Sequence, residues 1–159
     1  MSDPKHLQFV DANILIYAHD TSAGDKRCRA QELIQRLWES REGCLSIQVL
    51  QEFYVNVTQK LPKPLTSEAA AGIIADLSAW QVHSPTTESV LDAIRVQQEH
   101  HVSFWDAMVI TSAQRLGCQT LWSEDLQPER AFGEITVRSP FEASRRRNPF
   151  NPFCRRQIR

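Results

Sequence analysis

The hydrophobic and polar positions along the chain follow two different periods. Short apolar runs typical of buried strands occur at residues 7–10, 44–46, 119–122 and 135–137. Between them, apolar residues recur every three or four positions among charged ones, which predicts helices at residues 13–19, 25–41, 47–60, 67–79, 87–100 and 103–116. Strands and helices that alternate in this way indicate a single α/β domain with a mainly parallel central sheet.

Four acidic residues stand at particular points of this pattern. Asp11 directly follows the first predicted strand, and Asp125 follows the strand at 119–122. Because the carboxyl ends of parallel strands meet at one edge of a sheet, we expect these two side chains at the same edge. Glu52 and Asp106 fall in early turns of predicted helices, from which they can reach the same place. Carboxylates gathered at one spot repel each other, so the arrangement predicts a site for a hard divalent cation, Mg²⁺ or Mn²⁺.

Each of these acids also has a simpler explanation. Asp11 is suited to cap the helix that begins near residue 13. Asp106 lies three residues after Ser103, the spacing of a capping box. Asp125 fits a short turn, and Glu52 fits a solvated position away from the main apolar face of its helix. Considered one at a time, the four acids leave these alternatives open.

The segments around the four acids strengthen the case for a shared site. Together they resemble, in order and spacing, the four motifs of PIN-domain ribonucleases, and within that family the VapC-type toxins of bacterial toxin–antitoxin pairs. The segments are FVDANILIY at 9–17, SIQVLQEFYVNV at 46–57, SFWDAMVI at 103–110 and LWSEDL at 121–126. The resemblance covers roughly residues 7 to 140, and it implies a PIN-like three-layer α/β/α sandwich.

This resemblance also implies a chemistry, that of an Mg²⁺- or Mn²⁺-dependent endoribonuclease. Asp11 and Asp106 are then the central metal ligands and catalytic residues, and Glu52 and Asp125 complete the cluster. Asn13 and Ser123 are expected to orient ligands or substrate. Two positions depart from the family pattern. Ala12 replaces the Thr or Ser that many relatives have after the first aspartate, and Glu124 is a rival of Asp125 as the fourth acid.

The resemblance further implies partners. A toxin of a type II toxin–antitoxin pair has an RNA substrate, a cognate antitoxin protein that blocks the acidic pocket, and a second copy of itself in a homodimer. The alternative is a PIN-like module that binds RNA or protein without cutting. A metal-dependent phosphatase of the same sheet class is a weaker reading, because it would need an acid at position 13, where this chain has Asn13.

Charge and composition define the remaining expectations. Residues 142–159 carry six arginines and one glutamate, so we expect a PIN domain over residues 1–141 followed by an arginine-rich basic tail at 142–159. No signal peptide or membrane span is visible, and the four widely spaced cysteines are expected to be reduced thiols, which together predict a cytoplasmic protein. The four tryptophans are mostly core candidates, although Trp105 and Trp122 lie next to the acids and could stack on bases.

Overall fold

The computed structural model describes residues 4–142, and the secondary structure of this part follows the predicted alternation. The strands are β1 (Gln8–Val10), β2 (Gly43–Ser46), β3 (Gln81–His83), β4 (Thr120–Trp122), β5 (Ala131–Phe132) and β6 (Ile135–Arg138). The helices are α1 (Ala12–Ala18), α2 (Asp25–Ser40), α3 (Ile47–Gln59), α4 (Ser67–Leu77), α5 (Thr87–His100) and α6 (Phe104–Arg115).

The strands form one sheet in the order β3-β2-β1-β4-β6-β5. All neighbouring strands are parallel except the β5–β6 pair, which is antiparallel. All four residues of β2 are buried. Because successive side chains of a strand point to opposite faces, the sheet is covered on both sides at β2, as is typical of mainly parallel sheets. The predicted α/β class with a mainly parallel central sheet is confirmed.

The core lies around the central strands. Its largest fully buried side chains come from strands and helices alike and include Phe9, Phe53, Phe132, Ile14, Leu15, Leu37, Leu45, Ile110, Leu121 and Ile135. One glycine is required by close packing at the start of β2. A Cβ atom added to Gly43 would lie 2.5 Å from the ring of Trp80, so no larger residue fits there unless that ring moves.

The structure differs from the sequence-based expectations at four places. Strands β3 and β5 were not predicted, because each is very short and neither shows the alternation or the apolar run of a strand. The expectation of reduced thiols is wrong for Cys28, which is disulfide-bonded, while Cys44 and Cys118 are free and buried. The prediction that the tryptophans belong mostly to the core holds for Trp80 and Trp122, which are partly buried and pack against it, and fails for Trp38 and Trp105, which are exposed.

No helix within residues 4–142 is long and apolar enough to cross a membrane. The predicted basic tail lies outside the described residues except for its first position, Glu142.

Candidate active site

The candidate site lies at the carboxyl ends of three neighbouring strands, β2, β1 and β4. Asp11 directly follows β1, and its backbone N–H donates to the carbonyl of Trp122 at the end of β4 (2.9 Å). Ser123 to Asp125 continue from β4 at the same edge. Helix α3 begins immediately after β2, and helix α6 starts at this edge because it runs back toward the beginning of β4. The fold therefore brings all four predicted acids to one edge of the sheet.

Asp11 is the most confined of the four acids, because only 5% of its surface is exposed. Its carboxylate accepts a hydrogen bond from the backbone N–H of Ala12 (2.7 Å) and another from the hydroxyl of Ser123 (2.8 Å). The pKa of Asp11 is raised to about 7, mainly by burial and to a smaller extent by the nearby charges of Glu52 and Asp125, against the opposing effect of both hydrogen bonds. A capping role for α1 is present as well, but capping alone does not require this degree of burial.

Asn13 and Ser123 order the loop that follows β4. The buried hydroxyl of Ser123 donates to Asp11 and accepts from the backbone N–H of Asp125 (3.2 Å), so it links the two acids. The side-chain oxygen of Asn13 accepts from the backbone N–H of Glu124 (3.4 Å). Its amide nitrogen is buried and has no hydrogen-bond partner among the described residues. Both residues therefore contact the loop that carries Asp125, and the two N–H groups of the buried Asn13 amide have no partner among the described residues.

Glu52 is connected to the start of α6 through a residue that sequence reasoning did not single out. The side-chain nitrogen of Gln48, one turn earlier on α3, donates to the Glu52 carboxylate (3.0 Å) and to the backbone carbonyl of Trp105 (3.3 Å). Both partners are acceptors, which fixes the orientation of the amide. The Gln48 oxygen is then buried without a donor among the described residues. No sequence motif identifies Gln48, because its second partner is 57 positions away.

Asp106 lies in the first turn of α6, directly after Trp105. The hydroxyl of Ser103 accepts from its backbone N–H (3.1 Å), which is the first half of the expected capping box. The reciprocal bond, from the backbone of Ser103 to the Asp106 carboxylate, is absent from the hydrogen bonds described for residues 4–142. Helix capping therefore leaves the Asp106 carboxylate available for another partner.

The structure separates Glu124 from Asp125. The carboxylate of Glu124 contacts the ammonium group of Lys26 and the hydroxyl of Tyr17. Burial acts to raise the pKa of Glu124, but the hydrogen bonds and charge of these partners hold it below its ordinary value. Asp125 has no such cation among the described residues, and its charge acts on Asp11 instead. Of the two acids, Asp125 is therefore the one whose charge acts on Asp11, whereas Glu124 is paired with Lys26.

The four acids differ in how directly they meet. Glu52 and Asp125 are each within electrostatic reach of Asp11. Asp106 is linked to Glu52 indirectly, because Gln48 bonds both to Glu52 and to the backbone of Trp105, the residue before Asp106. Within residues 4–142, no three His, Cys, Asp or Glu side chains are close enough together to form a ready metal cluster. The acidic side chains at this edge offer only oxygen donors, which are the ligand type that a hard divalent cation prefers.

Comparison with known proteins agrees with this geometry. The sequence model of the PIN domain family matches residues 9–132. None of the curated proteins matches the chain in sequence. Among solved structures, the sarcin–ricin loop cleaving toxin VapC20 of Mycobacterium tuberculosis is 21% identical, with a TM-score of 0.57 over 72% of this chain and 86% of that one.

Two solved toxin–antitoxin assemblies are similar in fold over a larger part of the chain. A toxin–antitoxin complex from Klebsiella pneumoniae has a TM-score of 0.63 at 17% identity, over 86% of this chain and 99% of that one. VapBC2 of Rickettsia felis, solved with a promoter DNA fragment, has a TM-score of 0.60 at 14% identity, over 84% of this chain and 98% of that one. With a fold shared with VapC toxins and a family match that spans most of its length, the chain belongs to the PIN domain family.

Proposed function

We propose that this protein is a metal-dependent endoribonuclease and the toxin of a type II toxin–antitoxin pair. The observation that carries the proposal is the state of Asp11. Its carboxylate is buried, held from two sides by hydrogen bonds, and exposed to the charges of two further acids. An arrangement that keeps a carboxylate in so unfavourable a place, at the edge of the sheet where sites form, is characteristic of functional sites.

Each residue of the site would have a distinct role. Asp11, Glu52, Asp106 and Asp125 would hold Mg²⁺ or Mn²⁺, which would offset their charge toward an anionic phosphodiester and lower the pKa of a bound water. Ser123 and the Ala12 N–H fix the direction of the Asp11 carboxylate. Gln48 holds Glu52 toward the first turn of α6. The buried amide nitrogen of Asn13 has no hydrogen-bond partner among the described residues and could donate to a buried water molecule at the site.

The toxin role rests on the fold relatives. VapC20 is described as a toxin that cleaves the sarcin–ricin loop, and the Klebsiella and Rickettsia structures are toxin–antitoxin assemblies. By analogy we propose RNA as the substrate, a cognate antitoxin as the inhibitor, a homodimer as the assembly and the cytoplasm as the place of action. Charge complementarity favours an antitoxin that presents a basic side chain to the carboxylates.

One observation favours the alternative, a PIN-like module that binds RNA or protein without cutting. The described residues hold no preassembled group of three metal-binding side chains. Such a module would bind its partner at this edge of the sheet without needing the carboxylate of Asp11 in its charged form.

An RNA cleavage assay decides between the ribonuclease and the non-cutting module. It compares the wild-type protein with the Asp11→Asn and Asp76→Asn variants. Asp76 is an exposed acid of α4, so it controls for the loss of a surface charge. We expect Asp11→Asn to lose at least about 100-fold in rate, because even groups that only support metal ligands contribute about 10–100-fold. Chelation with EDTA should stop the wild-type enzyme, and Mn²⁺ or Mg²⁺ should restore it. Equal rates for all three proteins would indicate a contaminating nuclease and refute the proposal.

A further inference from the structure

Trp105 is exposed in a way that packing does not explain. Its side chain is 64% exposed, more than any other large hydrophobic residue in the described part of the chain. The other three tryptophans are less exposed and have contacts that account for their positions. Trp38 and Trp80 pack on each other with ring centroids 6.0 Å apart. Trp122 donates from its ring nitrogen to Gln8 (2.8 Å) and lies under the guanidinium group of Arg36.

The ring of Trp105 is presented from a fixed backbone. Gln48 donates to the Trp105 carbonyl, and the ring of Phe104 meets that of Trp105 edge-on, with centroids 5.2 Å apart. This edge contact leaves most of the indole open to solvent. The next residue is Asp106, and the same Gln48 amide holds Glu52. Trp105 therefore directly precedes one acid of the candidate site in the first turn of α6, and its backbone contacts the same amide that holds another acid, while its ring is open to solvent.

We propose that Trp105 is a stacking platform for an unpaired base of the RNA substrate, next to the phosphodiester bond that the acids act on. This inference rests on the proposed ribonuclease function and adds a residue that contacts the base of a substrate nucleotide. Base stacking on an aromatic side chain tolerates any sequence, because every base has a flat face. Bases inside a duplex are already stacked on each other, so a protruding ring next to the site selects nucleotides that are unpaired.

The surroundings of Trp105 favour a nucleotide over an apolar protein partner. Protein anchors of this kind usually lie in well-packed apolar surfaces with neighbouring contacts that exclude water. Trp105 is instead followed by Asp106 and preceded, two residues earlier, by the exposed Ser103. A single ring beside carboxylates can hold a base on its face while leaving the phosphate to the acids and their cation.

The test separates binding from cleavage. We measure the affinity for a single-stranded RNA oligonucleotide of mixed sequence and for the corresponding duplex in the presence of Mn²⁺. All proteins carry Asp11→Asn, so that the RNA stays intact. Trp105→Ala, Trp105→Phe and Leu91→Ala are each added to this background. Leu91, on α5, is 52% exposed and controls for the loss of an exposed apolar side chain. Far-ultraviolet circular dichroism and melting curves establish that each variant is folded.

We expect Trp105→Ala to weaken binding of the single strand by about 5–150-fold, the range of one base stacked on an aromatic ring. Trp105→Phe should retain most of the affinity, and Leu91→Ala should retain all of it. The affinity for the duplex should change little when Trp105 is replaced. RNA should also quench tryptophan fluorescence in the parent protein and much less in Trp105→Phe. In the cleaving background, Trp105→Ala should raise KM or lower kcat/KM for the single strand.

Unchanged single-strand affinity and unchanged quenching on loss of Trp105 would overturn the inference, even if Asp11→Asn proves that the protein is a nuclease. Conversely, a wild-type protein that cuts no RNA would remove the proposed function, while the binding and quenching results would still decide the role of Trp105. A Trp105→Ala protein that changes from dimer to monomer in sedimentation at unchanged RNA affinity would assign the ring to a protein contact and would also overturn the inference.

Discussion

The buried carboxylate of Asp11 makes stability depend on pH in an unusual direction. Because its pKa is raised from 3.8 to about 7, the folded protein binds this proton more tightly than the unfolded chain does. Asp11 therefore contributes stability that is fully present below about pH 4 and is lost as the pH rises through about 7. Without divalent metal, we expect Asp11→Asn to be more stable than the wild type at pH 8, by at most about 4 kcal/mol.

Urea unfolding of both proteins in EDTA between pH 4.5 and 8 measures this difference. The gain should shrink steadily toward low pH, because the wild-type carboxyl becomes protonated there. Asp76→Asn, which removes an exposed carboxylate, should show no comparable trend. A stability gain for Asp11→Asn that is independent of pH would mean that Asp11 titrates normally in the folded protein.

Replacing the two neighbouring acids of the loop after β4 should affect RNA cleavage to very different degrees. The carboxylate of Glu124 contacts Lys26 and Tyr17, whereas the charge of Asp125 helps to raise the pKa of Asp11. In RNA cleavage assays we expect Asp125→Asn to lose more than about 10-fold in rate and Glu124→Gln to lose less than about 3-fold, since only a ligand or its support has an effect of the larger size. Stability should change little in Glu124→Gln, because Lys26 is 42% exposed and pairs of this kind contribute at most about 1 kcal/mol. The reverse order of activities would make Glu124 the fourth acid.

At the level of elements, Gln48 joins helix α3 to the first turn of α6. Replacing it with leucine removes both hydrogen bonds and leaves the Trp105 carbonyl without this donor, so we expect Gln48→Leu to lose about 1–3 kcal/mol of stability. Gln51→Leu, an exposed position on the same helix, is the matched control and should lose much less. Urea unfolding compares the two variants. Equal effects of the two replacements would show that the bridge between α3 and α6 contributes nothing specific.

Sequence patterns revealed the elements and acids of the site but not the contacts that join them. Asp11 and Asp125 were predictable at one edge, because each directly follows a strand and parallel strands share their carboxyl edge. The role of Gln48 was not predictable, because it depends on a hydrogen bond to the backbone of α6, which lies far along the chain. The engagement of Glu124 by Lys26 likewise spans 98 positions. Strand β3 was not predicted, because a strand of three residues with one strongly apolar side chain is too short to show an alternation of polar and apolar positions.

Charge is distributed unevenly over the whole molecule. The chain carries a net charge of −1, yet residues 142–159 contribute +5, so the other 141 residues carry −6. Several of these negative charges are concentrated at the carboxyl edge of the sheet, where Glu52 and Asp125 both act on Asp11. A divalent cation bound there would relieve a repulsion that the fold otherwise sustains, which couples metal binding to the stability of the entire domain.

Thermal melting in the presence of Mn²⁺ tests this coupling. A ligand that binds only the folded state, present at about 100 times its dissociation constant, stabilises it by about 2.7 kcal/mol. For a domain of this size each kcal/mol raises Tm by roughly 2–4 °C, so we expect an increase of about 5–10 °C. Asp11→Asn should lose most of this increase and Asp76→Asn should keep it. A rise that is equal in all three proteins, or that Na⁺ at matched ionic strength reproduces, would mean that Mn²⁺ only screens the acidic surface and that the four carboxylates form no metal site.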